Sequence, residues 1–199
     1  MKKKPTQQRA QQMVDKLIAA TSQAINLYGI DELTTGKVAD IAEVSIGSLY
    51  QYFANKEELV AALIEHNTRQ IIHDLRQIIL VNASASLEDI LRRAIEHGFK
   101  LFKEDKVCFE IVNNWLNLPV QPAIDLIYSE GSELGRLFFL QHAQHYPIQN
   151  LHVKSFVIIN STLFTMIRYM NSPNTLISEQ EITQGLTQMI VSYIHSQSI

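Results

Sequence analysis

The amino-acid sequence predicts an all-α protein, and three observations support this fold class. Apolar residues recur at spacings of three and four, which is the period of one face of a helix. The 199 residues include only 7 glycines and 5 prolines, too few for the many tight turns of an all-β fold. No proline lies between Pro5 and Pro119. We therefore expect about nine helices and no strand.

Caps and helix breakers predict where the helices begin and end. Gly29 can end the first helix in a left-handed conformation. Ser45 is suited to cap a short helix, and pairs such as Ser178 with Glu181 have the spacing of a capping box. The predicted helices are one ending at Tyr28, one starting after Thr34 or Thr35, one from Ile46 to Tyr52, and longer ones from Asn55 to about Val81, Leu87 to Phe102, Val107 to Leu118, Pro122 to about Tyr146, 151 to 171, and Ser178 to about His195.

The composition excludes several classes of protein. A hydrophobic share of 46% with 19% charged residues argues against disorder. The single cysteine, Cys108, excludes an intramolecular disulfide framework and a cysteine-based zinc cluster. A formal net charge of −3 is unusual for a nucleic-acid-binding protein. However, residues 1–16 carry five positive charges and one negative, so this arm either follows phosphates or is a solvated tail.

The start of the chain does not resemble a targeting signal. Lys2, Lys3 and Lys4 are followed by glutamines rather than by an apolar stretch, which argues against a signal peptide. No window approaches the length of about 18 apolar residues that a membrane helix needs. We expect a soluble cytoplasmic protein without a membrane partner, and the lone cysteine agrees with a reducing compartment.

Three helices within the first 53 residues predict a helix-turn-helix unit. The second and third helices can share a small apolar core with the first. Ser45, Gly47 and Ser48 would start the third helix, and their small size lets a helix enter a major groove about 12 Å wide. Hydroxyls and main-chain amides at helix N-termini also suit phosphate oxygens.

The run from Leu33 to Leu59 closely resembles the DNA-binding signature of TetR-type (tetracycline-repressor-like) transcriptional regulators. The motif covers about residues 10–60, and beyond it only length and helical pattern agree. The resemblance implies a helix-turn-helix domain at 1–55 and a helical effector-binding and dimerisation domain at 56–199. The matching elements are Thr34-Thr35, Val38-Ala39, Ala42, Val44-Ser45, Gly47-Ser48-Leu49-Tyr50, Tyr52-Phe53 and Asn55-Lys56-Glu57-Glu58-Leu59, preceded by Tyr28-Gly29.

The resemblance also implies roles for individual residues in binding double-stranded, palindromic operator DNA. Four of them would meet phosphates, four would face base edges and backbone, and Gln51 could pair with adenine. Each has an ordinary alternative, as a helix cap, a half-buried aromatic or a solvated lysine. The phosphate contacts are Thr35, Tyr50, Tyr52 and Lys56, and the start of the recognition helix is Ser45, Ile46, Gly47 and Ser48.

Two residues depart from the family pattern. Glu43 stands in the turn where the family usually has glycine, so it must accept strain of about 1 kcal/mol or adopt another turn geometry. Ile46 stands where many relatives place a lysine or another polar residue, which suggests contact with a thymine methyl. Both departures affect which operator sequence the protein would bind and its affinity for that DNA.

The remainder of the chain is expected to form a homodimer and to hold an unknown small-molecule effector. The resemblance implies that the helix near 151–171 and the last helix pair with their copies, although their apolar stripes could instead pack within one subunit. The interface candidates are Phe156, Leu163, Ile167, Leu186, Met189, Ile190 and Tyr193. The pocket candidates, each of which could also be a core residue, are His97, Phe102, Cys108, Phe109, Val112, Trp115, Tyr128, Phe139, Asn160 and Phe164.

Enzyme motifs are lacking in the sequence. His142 and His145 lie one turn apart, but no carboxylate completes a metal site. There is no H-E-x-x-H motif, no glycine-rich phosphate loop and no G-x-S-x-G elbow. We therefore expect no catalysis, metal or cofactor. We expect a ligand-responsive DNA-binding regulator, in the form of a repressor that is released by an apolar or amphipathic small molecule. The alternative is a helical ligand-binding or adaptor protein that no longer binds DNA.

Overall fold

The computed structural model consists of α-helices and describes residues 5–81, 85–141, 150–171 and 176–196. In these ranges there is no strand. The basic residues Lys2–Lys4, and His142 and His145, lie outside them. No helix in the described ranges combines the length and the apolar character needed to cross a membrane. The helices are α1 (Pro5–Tyr28), α2 (Thr35–Ile41), α3 (Ile46–Leu49), α4 (Lys56–Val81), α5 (Leu87–Glu104), α6 (Lys106–Asn113), α7 (Gln121–Gln141), α8 (Leu151–Asn171) and α9 (Glu179–His195).

The predicted caps are confirmed at both ends of the chain. The hydroxyl of Thr34 accepts a hydrogen bond from the main-chain N–H of Lys37 at 3.2 Å. Ser178 and Glu181 form a reciprocal capping box at the start of α9. Gly29 follows α1 with φ of 80°, in the left-handed region that glycine occupies at little cost.

Two of the predicted helix ends are wrong. The third helix ends at Leu49 rather than at Tyr52. The helix predicted to continue to Leu118 stops at Asn113, and a separate 3₁₀ turn follows. The main chain leaves the helical conformation at Asn114, which has φ of −103° and ψ of 14°. Its main-chain N–H and its side-chain amide both donate to the main-chain oxygen of Glu110, at 3.1 and 2.9 Å, and so cap the last turn.

Two clusters of buried apolar residues hold the helices together. The first cluster contains Leu17, Leu49, Leu59 and Leu63 and also reaches Ile111 of α6, so packing is continuous across residue 55. The second cluster joins α5, α7, α8 and α9 through residues that include Phe99, Phe138, Met166 and Ile190. α4 leads from the first cluster into the C-terminal helices.

Candidate nucleic-acid interface and ligand cavity

The first turn of α3 presents small polar side chains on an open surface. The Ser45 hydroxyl accepts from the main-chain N–H of Ser48 at 3.1 Å and lies 2.8 Å from the Ser48 hydroxyl. Ser45 and Gly47 are exposed, and Ile46 is 43% exposed. Leu49 of the same helix is fully buried, so packing holds the helix with its N-terminal turn facing outward.

The other residues predicted to contact DNA lie at the start of α2, in the segment after α3 and at the start of α4. The hydroxyls of Thr35 and Tyr50 are 3.2 Å apart, which joins α2 to the end of α3. Tyr50 is 51% and Tyr52 36% exposed, and Gln51 is exposed as well. Lys56 is partly exposed as the first residue of α4. The surface therefore offers hydroxyl, amide and ammonium donors, and the DNA contacts of all nine residues remain predictions.

The turn between α2 and α3 has the strained backbone conformation, which is one of the two geometries predicted for Glu43. Glu43 has φ of 51°, in the left-handed region that disfavours residues with a Cβ. The main-chain N–H of Val44 donates to the oxygen of Ala39 at 3.0 Å and so secures the turn. The Glu43 side chain is exposed.

A largely apolar cavity of about 270 Å³ lies among the C-terminal helices. Helices α4, α5, α6, α7 and α8 all contribute to its wall, together with one residue of α9. Its lining contains no lysine, arginine, aspartate or glutamate. The predicted pocket residues that line it are His97, Phe102, Cys108, Val112 and Trp115.

The other five predicted pocket residues lie elsewhere. Phe109 is 40% exposed, whereas Phe139 is buried in the second cluster. Tyr128 packs edge-on against Phe156, with ring centroids 5.7 Å apart. The side-chain amide of Asn160 donates to the main-chain oxygen of Phe156 in the same helix. The ring of Phe164 packs edge-on against the ring of the cavity-lining residue Trp115, with ring centroids 6.3 Å apart.

The sequence reasoning missed the contribution of α4 to the cavity. Ile64, Thr68, Ile71 and Leu75 line it, and their spacing of three and four marks a single face of the helix. That spacing was available as a signal. It predicts only a buried face, however, and not whether the face meets side chains or a cavity.

Two polar atoms at the cavity wall lack hydrogen bonds. Nε2 of His97 is buried without a hydrogen-bond partner, although it lies 3.3 Å from the Asp74 carboxylate. The two groups are neighbours, but they do not form a hydrogen bond. The Thr162 hydroxyl is also buried without a partner, whereas the Thr68 hydroxyl donates to the oxygen of Ile64 at 2.8 Å.

The thiol of Cys108 also lies at the cavity wall. Burial, and to a lesser degree the negative charge of Asp105, raise the pKa of Cys108 from 9.0 to about 12. The thiol is therefore protonated at neutral pH and is a poor nucleophile. Within the ranges that the structure describes, no group of three or more histidine, cysteine or acidic residues could hold a metal ion.

The predicted interface residues divide between the outside and the inside of the subunit. Phe156 is 56% and Met189 41% exposed, and Tyr193 is partly exposed. In contrast, Leu186 is buried and three others face the cavity. The cavity-lining members are Leu163, Ile167 and Ile190.

The outward apolar face of α8 includes the predicted residue Phe156 and three residues that were not predicted. Val153, Val157 and Phe164 are exposed beside Phe156, at helical spacings of three, four and seven. On α9, the position of Gly185 has open space around it, one turn before Met189. These residues form the outer face of α8 and α9.

Helix α6 contacts both the helix-turn-helix region and the cavity. Nζ of Lys106 donates to the main-chain oxygen of Asn26 at 2.6 Å. One turn later, the Glu110 carboxylate accepts from the main-chain N–H of Ile30 at 3.4 Å. Ile111 and Val112 of the same helix line the cavity, so α6 lies between the end of α1 and the cavity.

The comparison with protein families agrees with the position of the helix-turn-helix. Residues 17–63 match the family model described as bacterial regulatory proteins, tetR family. This segment contains α2 and α3 and the first turns of α4. No relative with a curated description matches the chain.

Solved structures extend the likeness over the whole fold. RolR in complex with resorcinol has a TM-score of 0.70 at 15% identity and covers 96% of this chain and 97% of its own. FadR from Bacillus subtilis with stearoyl-CoA has a TM-score of 0.66 at 20% identity, covering 90% and 98%. The TetR-family repressor AlkX from Dietzia sp. has a TM-score of 0.66 at 18% identity, covering 90% and 93%. Residues 17–63 of the chain therefore match the tetR family of bacterial regulatory proteins, and its whole all-α fold is similar to those of solved TetR-family regulators.

Proposed function

We propose that the protein is a homodimeric transcriptional repressor that acts in the cytoplasm and is released from DNA by a small molecule. It binds a palindromic operator through the surface of α2, α3 and the start of α4. An apolar or amphipathic effector enters the cavity and favours a conformation that no longer fits the operator. The observation that carries this proposal is the combination, in one chain, of an exposed recognition turn and a largely apolar cavity.

The chemistry of the recognition turn supports DNA binding. Ser45 and Gly47 allow the main chain of α3 to approach base edges closely, and Ile46 offers an apolar contact for a thymine methyl. The hydroxyls of Thr35 and Tyr50 and the ammonium of Lys56 suit phosphate oxygens. Because the whole chain is slightly acidic, affinity depends on such local donors rather than on overall charge.

Helix α4 is the proposed link between effector and operator. It starts at Lys56, beside the recognition helix in the chain, and lines the cavity with Ile64, Thr68 and Leu75. A ligand among these residues can tilt α4 and so change the spacing of two DNA-binding heads. It does so only if it binds the released conformation more tightly than the DNA-bound conformation.

The solved relatives give the effector class its support. RolR is described with resorcinol and FadR from Bacillus subtilis with stearoyl-CoA. A predominantly apolar cavity with few polar groups is typical of small-molecule sites. We therefore assign an apolar or amphipathic effector to the cavity.

The outer face of α8 and α9 is the proposed dimer interface. Phe156 and Phe164 are large exposed apolar side chains, and the open position of Gly185 lets a second helix approach closely. Two copies place their recognition helices on a two-fold operator about 34–36 Å apart, or somewhat more. Phe156→Glu should shift the protein towards monomer in sedimentation velocity. Leu116→Glu, at a 95% exposed position outside this face, should leave the dimer unchanged.

DNA binding can be tested by fluorescence anisotropy with fragments from upstream of the protein's own gene over a range of salt concentrations. Lys56→Ala should weaken binding and reduce the salt slope by about one charge. Tyr50→Phe should weaken binding several-fold with little change in salt slope, because it removes only a hydroxyl. Lys100→Ala, an exposed lysine of α5 paired with Glu104, is the control and should bind like the wild type.

Two results would contradict the proposal. Specific binding that neither Lys56→Ala nor Tyr50→Phe weakens would move the interface away from α3 and α4. A complete lack of binding to every genomic fragment would favour the second function, a ligand-binding or adaptor protein of the same fold. Glu43 and Ile46 are the residues that favour this alternative, since a carboxylate in the turn and an isoleucine at α3 both reduce attraction to phosphate.

A further inference from the structure

The wall of the cavity restricts the charge that an effector can carry. None of the lining residues is a lysine, arginine, aspartate or glutamate. An anionic group placed there would lose its hydration without gaining a permanent countercharge, which is strongly unfavourable. The cavity therefore selects against carboxylates and phosphates.

Two buried polar atoms restrict the remaining choice. His97 and Thr162 line the cavity, and Nε2 of His97 and the hydroxyl of Thr162 are buried without hydrogen-bond partners. Buried polar groups in proteins are nearly always paired, and an unpaired one costs free energy that a ligand can recover. In contrast, the hydroxyl of Thr68, another cavity-lining residue, already donates a hydrogen bond to the main-chain oxygen of Ile64.

His97 is the better placed of the two. Its ring lines the cavity, and its Nε2 lies 3.3 Å from the carboxylate of Asp74 on α4, so the ring is held between α4 and α5. A ligand hydroxyl or carbonyl beside the ring can complete the hydrogen bonding that Asp74 does not. Thr162 has no comparable charged neighbour among its known contacts.

Resting on the proposed function, we infer that the effector is an uncharged, mainly apolar molecule whose hydroxyl or carbonyl group is bound by Nε2 of His97. The volume of about 270 Å³ lies near the lower end of the range for small-molecule sites, roughly 300–1,000 Å³. The molecule is therefore compact, with one ring or a short chain. His97 sets the specificity for the polar group, and the apolar wall supplies most of the affinity.

Three probes that share a propylbenzene core test this inference. Propylbenzene has no polar group, 4-propylphenol has a neutral hydroxyl at pH 7, and 4-propylbenzoate is an anion. Binding is followed through the emission of Trp115, the single tryptophan of the chain, which lines the cavity, and checked by calorimetry. We expect 4-propylphenol to bind about fivefold more tightly than propylbenzene, and the benzoate to bind most weakly.

Variants of His97 and of two threonines test which residue causes the preference for the phenol over the hydrocarbon. His97→Phe keeps a ring but removes the nitrogen, and should bind the phenol and the hydrocarbon equally. His97→Gln, which retains a hydrogen-bonding amide, should keep part of the preference and provides a second variant if His97→Phe folds poorly. Thr162→Val should reduce the preference less than His97→Phe does. Thr187→Val, at a buried threonine whose hydroxyl is also unpartnered but lies outside the cavity, should leave it unchanged.

Four outcomes would overturn the inference. These are tightest binding by the benzoate, binding by none of the probes, survival of the phenol preference in His97→Phe, and an equal or larger loss in Thr162→Val. All measurements use the full-length protein without DNA. A failure here therefore leaves the operator experiment intact, and a failure of DNA binding leaves this experiment interpretable.

Discussion

The ammonium group of Lys106 caps the end of α1 by donating to the main-chain oxygen of Asn26 at 2.6 Å. Carbonyl groups in the last turn of a helix lack main-chain partners, and a cation there also interacts favourably with the helix dipole. Lys106 belongs to α6, and Cys108, Ile111 and Val112 of the same helix line the cavity. This single side chain therefore connects the cavity-lining helix to the scaffold that carries α2 and α3.

Replacing Lys106 by methionine should loosen the end of α1. We expect a loss of about 0.5–1 kcal/mol in the free energy of unfolding, because the hydrogen bond is exposed. Hydrogen exchange of the amides in residues 26–30 should accelerate more than exchange elsewhere. The matched control is Lys100→Met, which removes only the exposed pair with Glu104 at 3.7 Å. Equal exchange in the two variants would contradict the role of Lys106 as a cap.

Glu43→Gly should stabilise the protein. Glycine adopts φ of 51° without the steric strain that a Cβ meets there, and the gain is about 1 kcal/mol. For a chain of this size, the melting temperature should rise by about 2–4 °C. Asn150→Gly is the control, since asparagine tolerates its own positive φ of 53° better than glutamate does. A gain at Asn150 equal to that at Glu43 would contradict the strain argument.

Lys154→Met should destabilise the C-terminal helices. This buried lysine donates to the main-chain oxygens of Ile194 and Ser196 at 2.8 and 3.0 Å, and so closes the C-terminal end of α9. Loss of these charge-assisted bonds should cost about 2–3 kcal/mol, measured by urea denaturation. Lys103→Met removes the more exposed pair with Glu179 at the other end of α9 and should cost less than about 1 kcal/mol. The argument fails if the two variants lose the same stability.

Cys108 should react slowly with a charged thiol reagent at neutral pH, because its pKa is raised to about 12 by burial. The folded state holds the thiol proton more tightly than the unfolded state does. The stabilisation is complete below pH 9 and is lost as the pH rises towards 12. Urea denaturation should therefore show a steeper decline of stability above pH 9 for the wild type than for Cys108→Ala. Parallel declines would contradict this burial effect.

The sequence predicts the helices best where a local signal specifies them. Thr34, Ser45 and Ser178 act as caps by bonding main-chain amides three residues away, and such bonds depend only on nearby residues. The end of α6 was harder to predict, because the apolar pattern continues past Asn114. The helix ends at Asn114, whose side-chain amide caps the last turn by donating to the main-chain oxygen of Glu110, and an asparagine alone does not predict such an end.

The site is predictable to different degrees. The recognition turn is local, so a contiguous motif identifies it. The cavity depends on packing between distant segments, and helical periodicity cannot tell its wall from ordinary core. Ile190 illustrates this limit, because its place on an apolar stripe predicted an interface, while the structure leaves it 1% exposed at the cavity wall.

The apolar packing that crosses residue 55 has a consequence for protein engineering. Leu17 and Leu49 of the first three helices share one buried cluster with Leu59, Leu63 and Ile111. A fragment cut after residue 55 would expose that cluster to water, and a chimera joined there would pair mismatched halves of one core. Transplanting operator specificity between relatives should therefore exchange the exposed residues of α3 one by one, while the recipient keeps its own scaffold.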